Sequence, residues 1–193
     1  MAALLQAASR VLARDGAQRF TTARVAEEAG VSVGSLYQYF PNKESILFRL
    51  QTDEWQQTGA LLERILTDVS RPPAERLRAI TLAFFRSECE EAQLRVALKD
   101  AAPLYRDVPE TQRHRATGRR RALKFMRELL PRIAARELTC ATDLIMTTLS
   151  SVGKAVSEQG RSKADVDRIA TATGDMFCFY LERLCKEIPR KYS

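Results

Sequence analysis

Apolar residues recur along almost the whole chain at intervals of three and four positions, which is the spacing of an amphipathic α-helix. In the first segment, Leu4, Leu5, Ala8, Val11 and Leu12 share one helical face in this way. Alternating runs of β-branched residues and Asn-Gly turns, which mark strands and hairpins, do not occur. The spacing therefore predicts an all-α protein of about nine helices.

Helix ends are marked by glycine, proline and N-cap residues, namely Gly16, Thr21 or Thr22, Gly30, Ser32, Pro41, Asn42 and Pro72 with Pro73. These residues predict short helices up to residue 39, then a long helix over about 42–69. Two long C-terminal helices are predicted over about 137–159 and 163–187. We expect a small N-terminal domain over 1–46 and a larger helical domain over 47–193.

The chain is basic, with 31 Lys and Arg against 24 Asp and Glu and a net charge of +7, which suggests a nucleic-acid partner. Residues 110–136 hold nine basic and two acidic residues, whereas residues 1–50 hold six and four. Net charge therefore gives little support for DNA binding by the N-terminal segment. The run RHRATGRRR at 113–121 can extend a basic surface, bind an anionic effector or form a solvated helix face. We favour the solvated face and expect His114 to be exposed.

Membrane and secreted proteins do not fit the sequence. No stretch approaches the roughly 20 apolar residues of a membrane span. Arg10 and Arg14 stand where a signal peptide would be apolar. We therefore expect a cytosolic protein with buried, reduced thiols at its four cysteines, Cys89, Cys140, Cys178 and Cys185.

Enzyme and metalloprotein signatures are also missing. The chain has one histidine and no CxxC pair, so we expect no metal site. It contains no GxGxxG or GxxxxGK[ST] loop, no HExxH and no GxSxG. We expect no catalytic residues, no enzymatic activity and no cofactor.

Residues 21–40 have the lengths of a helix-turn-helix: a helix over 21–29, a Gly-Val-Ser turn and a helix over 33–39. In that motif the second helix enters the major groove of DNA. Leu36 and Phe40 are four apart and are expected to face the core. The opposite face carries small residues that allow close approach and tyrosines that can reach phosphates, at Val33, Gly34, Ser35, Tyr37, Gln38 and Tyr39.

The stretch FTTARVAEEAGVSVGSLYQYFPNKESIL closely resembles the signature of the TetR family, the tetracycline-repressor-like transcriptional regulators. The resemblance extends from Leu4 to Leu50 and depends on the Thr-Thr start, the Ala-Gly-Val-Ser turn and the Gly-Ser-Leu-Tyr-x-Tyr-Phe run. It implies a DNA-binding regulator that forms a homodimer on a palindromic operator and is released by a small-molecule effector. Repression is the default in the family. Family members usually have a basic arm before the first helix, which we expect to be absent here.

The resemblance also implies roles for single residues. Thr22 and Arg24 match backbone-contacting positions, and Tyr37 and Tyr39 match phosphate-contacting positions. Positions that read base edges correspond to Val33, Gly34, Ser35 and Gln38. Lys43 begins the long helix, where its charge and the helix dipole both favour a phosphate. A core position for the Tyr37 ring and a purely solvated Lys43 are the alternatives.

The last helix carries two apolar stripes, so both of its faces must be covered. The first runs through Val166, Ile169, Thr173, Phe177, Tyr180, Leu184 and Ile188, and the second through Ala172, Met176, Phe179 and Arg183. One stripe can pack in its own domain and the other against a partner subunit; a thick monomeric core is the alternative. The residues predicted for a dimer interface are Leu149, Val152, Gly153, Val156, Thr173, Met176, Phe177, Tyr180 and Leu184.

Aromatic and sulfur-containing residues from separate helices can line a cavity for an apolar effector. The candidates are Trp55, Phe84, Phe85, Cys89, Leu104, Tyr105, Phe125, Met126 and Met146. An ordinary helical core would contain the same residue types. The predicted function is a ligand-responsive DNA-binding regulator, with a double-stranded operator and a small effector as partners. A helical adaptor that no longer binds DNA is the alternative.

Overall fold

A computed structural model describes residues 1–104 and 108–187, without the side chain of residue 187. Within these ranges the chain forms nine α-helices and no strand, which confirms the predicted fold class. They are α1 Ala2–Arg19, α2 Thr22–Ala29, α3 Val33–Tyr37, α4 Lys43–Leu66, α5 Pro73–Glu90, α6 Ala92–Ala101, α7 Pro109–Leu129, α8 Ala135–Ser157 and α9 Lys163–Glu187. A 3₁₀ turn, Ala102–Leu104, follows α6. No helix in the described ranges has the length and hydropathy needed to cross a membrane.

Several helix ends differ from the sequence prediction. Helical structure continues past Gly16 to Arg19, with a kink at Gly16, whose φ of 74° and ψ of 170° are not helical. The third helix ends at Tyr37 instead of 39, because the carbonyl of Leu36 accepts the amide N–H groups of residues 39 and 40 in a closing turn. The fourth ends at Leu66 instead of 69.

The chain divides into two compact units that do not follow a single cut in the sequence. The first comprises residues 1–57 and 91–113, and the second comprises 58–90 and 114–193. The expected division between residues 46 and 47 falls within α4, which contributes to both units. Helix α6 belongs with the N-terminal helices although it follows α5 in the chain.

The core of the first unit is built from α1 to α4 together with α6. Val11, Leu12, Val25, Leu36 and Leu47 are fully buried in it. Helix α6 contributes Ala97, Leu98 and Ala101 to the same apolar cluster. Packing of α6 on α1 therefore makes it part of the framework that supports the first three helices.

Helix α6 is also joined to α4 by a buried polar cluster. Glu54 is 7% exposed and lies 2.8 Å from the Arg95 guanidinium, measured between Oε1 and Nη2. The side-chain amide of Gln51 donates to the other Glu54 oxygen at 3.0 Å. A buried carboxylate needs such partners, because desolvation of an unpaired charge is costly.

The second unit is centred on α5, which packs against α8 and α9. The closest approach is at Gly174, where an added Cβ would lie 3.2 Å from the Cα of Arg78. Two ion pairs tie α5 to α9: Arg78 with Asp175 at 2.6 Å and Arg86 with Asp167 at 2.7 Å. A glycine at 174 thus lets the two helix backbones come close.

A buried arginine, Arg76, joins three elements of the second unit. Its side chain is 2% exposed and donates to the carbonyl oxygens of Leu66 at 2.5 Å and Arg71 at 3.2 Å. It also pairs with Glu128 of α7, and its guanidinium lies 5.3 Å from the centroid of the Phe125 ring. Arg76 therefore holds the C-terminal end of α4, the loop that follows, and α7.

Candidate nucleic-acid interface

Local hydrogen bonds fix the turn between α2 and α3. Gly30 takes the left-handed conformation, φ 68° and ψ 31°, which favours glycine, and its N–H bonds back to the end of α2. Ser32 then caps α3, since its hydroxyl oxygen accepts from the Ser35 amide at 3.0 Å. Thr21 caps α2 by accepting from the Arg24 amide at 3.3 Å, which resolves the Thr21 or Thr22 alternative.

Helix α3 buries one face and exposes the other. Leu36 is fully buried and Phe40 is 6% exposed, while the rings of Tyr37 and Tyr39 are 50% and 51% exposed. The open face of this helix and its turn thus presents a row of small and aromatic side chains, formed by Val33, Gly34, Ser35, Tyr37, Gln38 and Tyr39. Tyr37 is therefore not a core ring.

No contact within the protein explains why residue 34 is a glycine. A Cβ added at this position would meet nothing closer than the Ser32 hydroxyl, at 3.8 Å. Neither internal packing nor a left-handed backbone requires glycine here. A glycine at this position instead lets a binding partner approach the backbone of α3 closely.

Two residues expected to contact the DNA backbone meet on this surface. The hydroxyl groups of Thr22 and Tyr37 lie 3.2 Å apart, so each can orient the other. Asn42 caps α4 by accepting from the Ser45 amide at 2.8 Å. Lys43 is exposed in the first turn of α4, beside the N–H groups that give a helix N-terminus its positive potential.

Arg24 is held in place by a network of ion pairs that was not predicted from the sequence. The Arg24 guanidinium lies 3.1 Å from the Asp15 carboxylate, which also pairs with Arg14 at 3.0 Å. Hydrogen bonding from Arg14 is the main reason that the pKa of Asp15 is lowered. Glu28 pairs with Arg10 and Arg14, and hydrogen bonding from Arg10, then Arg14, lowers its pKa. The network thus joins three arginines to two carboxylates and holds the Arg24 side chain at the start of α2.

The candidate effector residues are distributed over different parts of the structure. Phe85 is fully buried in a cluster that also contains Phe84 and Cys89, and burial raises the pKa of the Cys89 thiol. Phe125 and Met126 lie in the other apolar cluster of the second unit, and Met146 is partly buried. Trp55 and Leu104 belong to the first unit, where Leu104 is exposed, and Tyr105 lies outside the described residues.

The candidate dimer residues divide between buried and exposed positions. Gly153, Val156, Thr173 and Phe177 are buried within the chain's own second unit. Leu149, Val152, Tyr180 and Leu184 are partly buried, and Met176 is 50% exposed. Apart from Ile188, which lies outside the described residues, the first stripe of α9 thus packs internally, while Ala172, Met176, Phe179 and Arg183 of the second stripe are all exposed.

Two smaller predictions from the sequence are wrong. Cys140 and Cys185 are exposed, whereas Cys178 is buried and Cys89 partly so. His114 is partly buried instead of exposed, and desolvation, with a smaller effect of Arg121, lowers its pKa. No group of His, Cys, Asp and Glu side chains among the described residues is arranged to hold a metal ion.

Two family models match the chain. The model described as bacterial regulatory proteins, tetR family, matches residues 4–50. The model described as the tetracyclin repressor-like C-terminal domain matches residues 72–184, more than half of the chain. The chain belongs to the TetR family. The resemblance seen in the N-terminal motif is thereby confirmed.

Individual transcriptional regulators are also similar to the chain. The HTH-type transcriptional repressor KstR2 of Mycolicibacterium smegmatis is 32% identical over 108 residues, which is 55% of this chain and about half, 52%, of that protein. A putative transcriptional regulator from Pseudomonas aeruginosa PAO1 has a similar fold, with TM-score 0.73 and 18% identity over 94% of this chain and 92% of that one. The regulator FadR from Bacillus subtilis in complex with stearoyl-CoA has a TM-score of 0.71 and 19% identity, over 91% of this chain and 96% of that one.

Proposed function

We propose that this protein is a ligand-responsive, DNA-binding transcriptional regulator, acting as a homodimeric repressor that a small, largely apolar effector releases from a palindromic operator. The observation that supports this best is the exposed face of α3. Two half-exposed tyrosines and an unhindered glycine face away from a core that Leu36 and Phe40 hold in place. As a partner of operator DNA, the protein acts in the cytoplasm.

DNA binding is tested directly by a gel shift with the intergenic DNA upstream of the protein's own gene. A specific shift at near-physiological salt, resistant to excess scrambled duplex, is the expected result. Failure to shift any upstream or neighbouring intergenic fragment would favour the alternative, a helical adaptor whose N-terminal unit no longer binds DNA.

Single substitutions separate backbone contacts from base contacts. Tyr37→Ala and Lys43→Ala should weaken binding similarly for all operator variants, because phosphate contacts carry little sequence information. Lys43→Ala should also reduce the salt dependence of binding by about one counterion. Substitutions at Ser35 and Gln38 should instead change which base pairs are preferred. Unchanged affinity in both Tyr37→Ala and Lys43→Ala would contradict the phosphate assignments.

We propose that the homodimer forms through α8 and the exposed stripe of α9. Phe179 is 68% exposed, and Met176 and Leu144 are each 50% exposed, an apolar display that favours association. A two-fold dimer presents α3 twice, so half-site centres should lie about 10 bp, or about 34 Å, apart. Phe179→Glu should shift the protein to monomer in analytical ultracentrifugation and abolish cooperative binding to the full palindrome. A dimer unaffected by Phe179→Glu would place the interface elsewhere.

We place the effector in the second unit, near the side chains of Phe84, Cys89, Phe125 and Met126. The stearoyl-CoA bound by B. subtilis FadR makes a fatty acyl-CoA a reasonable first probe. Stearoyl-CoA should lower operator affinity, and linkage requires operator DNA to lower stearoyl-CoA affinity by the same factor. Phe84→Ala, a partly buried position, should weaken that response while leaving operator affinity without ligand unchanged. A probe that binds tightly and leaves operator affinity unchanged would contradict the coupling.

A further inference from the structure

The excess positive charge of the chain is confined to residues 115–136. This stretch has eight Lys and Arg and one Asp or Glu, a net charge of +7 that equals the net charge of the whole chain. The first unit, residues 1–57 and 91–113, has ten basic and ten acidic residues. Residues 58–90 have five of each and residues 137–193 eight of each. The unit that carries α3 is therefore electrically neutral as a whole.

Three acidic residues in or beside this stretch are already paired with arginines. Arg119 pairs with Asp143 at 2.9 Å and Arg121 with Glu63 at 2.8 Å. The only acidic residue within the stretch, Glu128, pairs with the buried Arg76. Five exposed basic side chains have neither an ion pair nor a hydrogen bond within the described residues: Arg115, Arg120, Lys124, Arg132 and Arg136. Arg120, Lys124 and Arg132 lie on one face of α7 or in the loop held against its end, and we call these three residues the α7 basic surface.

The structure places much of this charge together. Arg120, Lys124 and Arg127 are spaced by four and three residues, so they share one face of α7. That face lies opposite the one that buries Phe125 and Met126. Arg127 donates to the carbonyl of Ile133 at 2.8 Å, which holds the loop carrying Arg132 against the end of α7.

We propose that the α7 basic surface is a second nucleic-acid-binding surface, which contacts the phosphate backbone of duplex DNA without regard to sequence. Guanidinium groups bind phosphates through paired hydrogen bonds, and two of the three residues are arginines. Non-specific affinity and rapid association both depend on unpaired positive charge. A neutral first unit supplies little of it, whereas this surface concentrates it.

A membrane surface fits the same residues less well. Basic helices that lie on membranes insert large apolar side chains beside their charges. Among the described residues, no large apolar side chain is exposed between Leu104 and Leu144. The uncharged neighbours of Arg120 on this face are Ala116 and Thr117, which are small, and Leu123, which is partly buried against the core. The surface is thus charged without an apolar anchor.

The experiment compares two triple variants of equal net charge. Arg120→Gln/Lys124→Gln/Arg132→Gln removes three charges from the α7 basic surface. Arg161→Gln/Lys163→Gln/Arg168→Gln removes three exposed charges from the start of α9 and its preceding loop and serves as the control. Binding of the full chain to a labelled duplex of scrambled sequence is measured by fluorescence anisotropy between about 50 and 200 mM salt.

In the α7 variant, the slope of log K against log salt should fall by about two to three, since each lost phosphate contact contributes about 0.9. Affinity for the scrambled duplex at about 0.1 M salt should fall roughly tenfold or more. The control variant should change both quantities little. Equal changes in the two variants, or none in either, would overturn the proposal.

Two further measurements show which binding partner, and which surface of the protein, accounts for a change in binding. Loss of binding to phosphatidylglycerol vesicles in the α7 variant, with duplex binding unchanged, would overturn the proposal in favour of a membrane surface. Tyr37→Ala/Lys43→Ala should weaken operator binding while retaining the part of the salt slope that depends on α7. An α7-dependent slope without any operator-specific binding would leave this inference standing and count against the proposed function.

Discussion

The two units each bury one charged side chain that holds α4, but they do so with different partners. In the first unit the charge is Glu54 of α4 itself, neutralised by Arg95 from α6. In the second unit Arg76 of α5 donates to the Leu66 carbonyl at the end of α4 and pairs with Glu128, which is 47% exposed. One unit buries an anion that a partly buried arginine neutralises, while the other buries a cation whose main partners are backbone carbonyls. The comparison indicates that the stability of the first unit depends most on keeping Arg95, the partner of its buried charge. The stability of the second unit depends most on keeping the buried charge itself, Arg76.

The largest effect is expected for Arg95→Ala. It leaves Glu54, 7% exposed, without its cation, so the free energy of unfolding should fall by about 3–5 kcal/mol. Adding Glu54→Gln should recover part of the loss, because the double variant no longer buries an unpaired charge. Urea denaturation measures both changes. Arg49→Ala, which removes an exposed pair with Asp53, is the control and should cost below about 1 kcal/mol. Equal losses in Arg95→Ala and Arg49→Ala would show that the buried pair contributes nothing special.

Arg76→Ala should be the next most damaging change, with a loss of about 2–4 kcal/mol. It leaves the carbonyls of Leu66 and Arg71 without their donor and opens space beside Phe125. Arg78→Ala is a matched control, since this arginine lies two positions along the same helix, is 40% exposed and pairs with Asp175. It should cost below about 1 kcal/mol. If thermal unfolding shows the two variants to be equally stable, Arg76 does not anchor α4.

Replacing one glycine in each unit by alanine shows how tightly the two units are packed around those positions. Gly174→Ala places a Cβ 3.2 Å from the Arg78 backbone, and the resulting strain should destabilise the folded state by about 1–3 kcal/mol. The higher helix propensity of alanine should offset about 1 kcal/mol of this loss. Gly34→Ala meets open space and should leave stability unchanged or slightly higher. Its effect should appear in operator affinity instead, because the new methyl group stands on the proposed DNA-binding face. Calorimetry and gel shifts on both variants separate the two outcomes; lower stability in Gly34→Ala would argue for an internal role.

The features that sequence predicted well are those fixed by neighbouring residues. The Ser32 cap, the end of α2 at Gly30 and the exposed Tyr37 all depend on residues close by in the chain. The packing of α6 on α1 was not predictable in this way, because Ala97 and Leu98 meet residues more than 80 positions earlier. Arg76 was missed since an arginine in an amphipathic helix is normally exposed. The effector and dimer residues depend on how long helices pack, which periodicity alone does not determine.

The smallest expected effect concerns pH and tests the second unit through His114, the single histidine of the chain. Desolvation holds its pKa below the ordinary value of 6.5, so the unfolded chain takes up a proton at a higher pH than the folded chain does. Above pH 6.5 the imidazole is neutral in both states and contributes no pH dependence. As pH falls through 6.5, proton binding favours the unfolded state, and stability declines until the folded-state pKa is passed. The paired carboxylates Asp15, Glu28, Asp143 and Asp167 have lowered pKa values, so their effect on stability changes only below about pH 5. Urea midpoints at about pH 7 and 5.5 should therefore differ in the wild type and differ less in His114→Gln. A wild-type midpoint that stays constant over this window, or rises as pH falls, would show that the folded environment does not disfavour the charged imidazole.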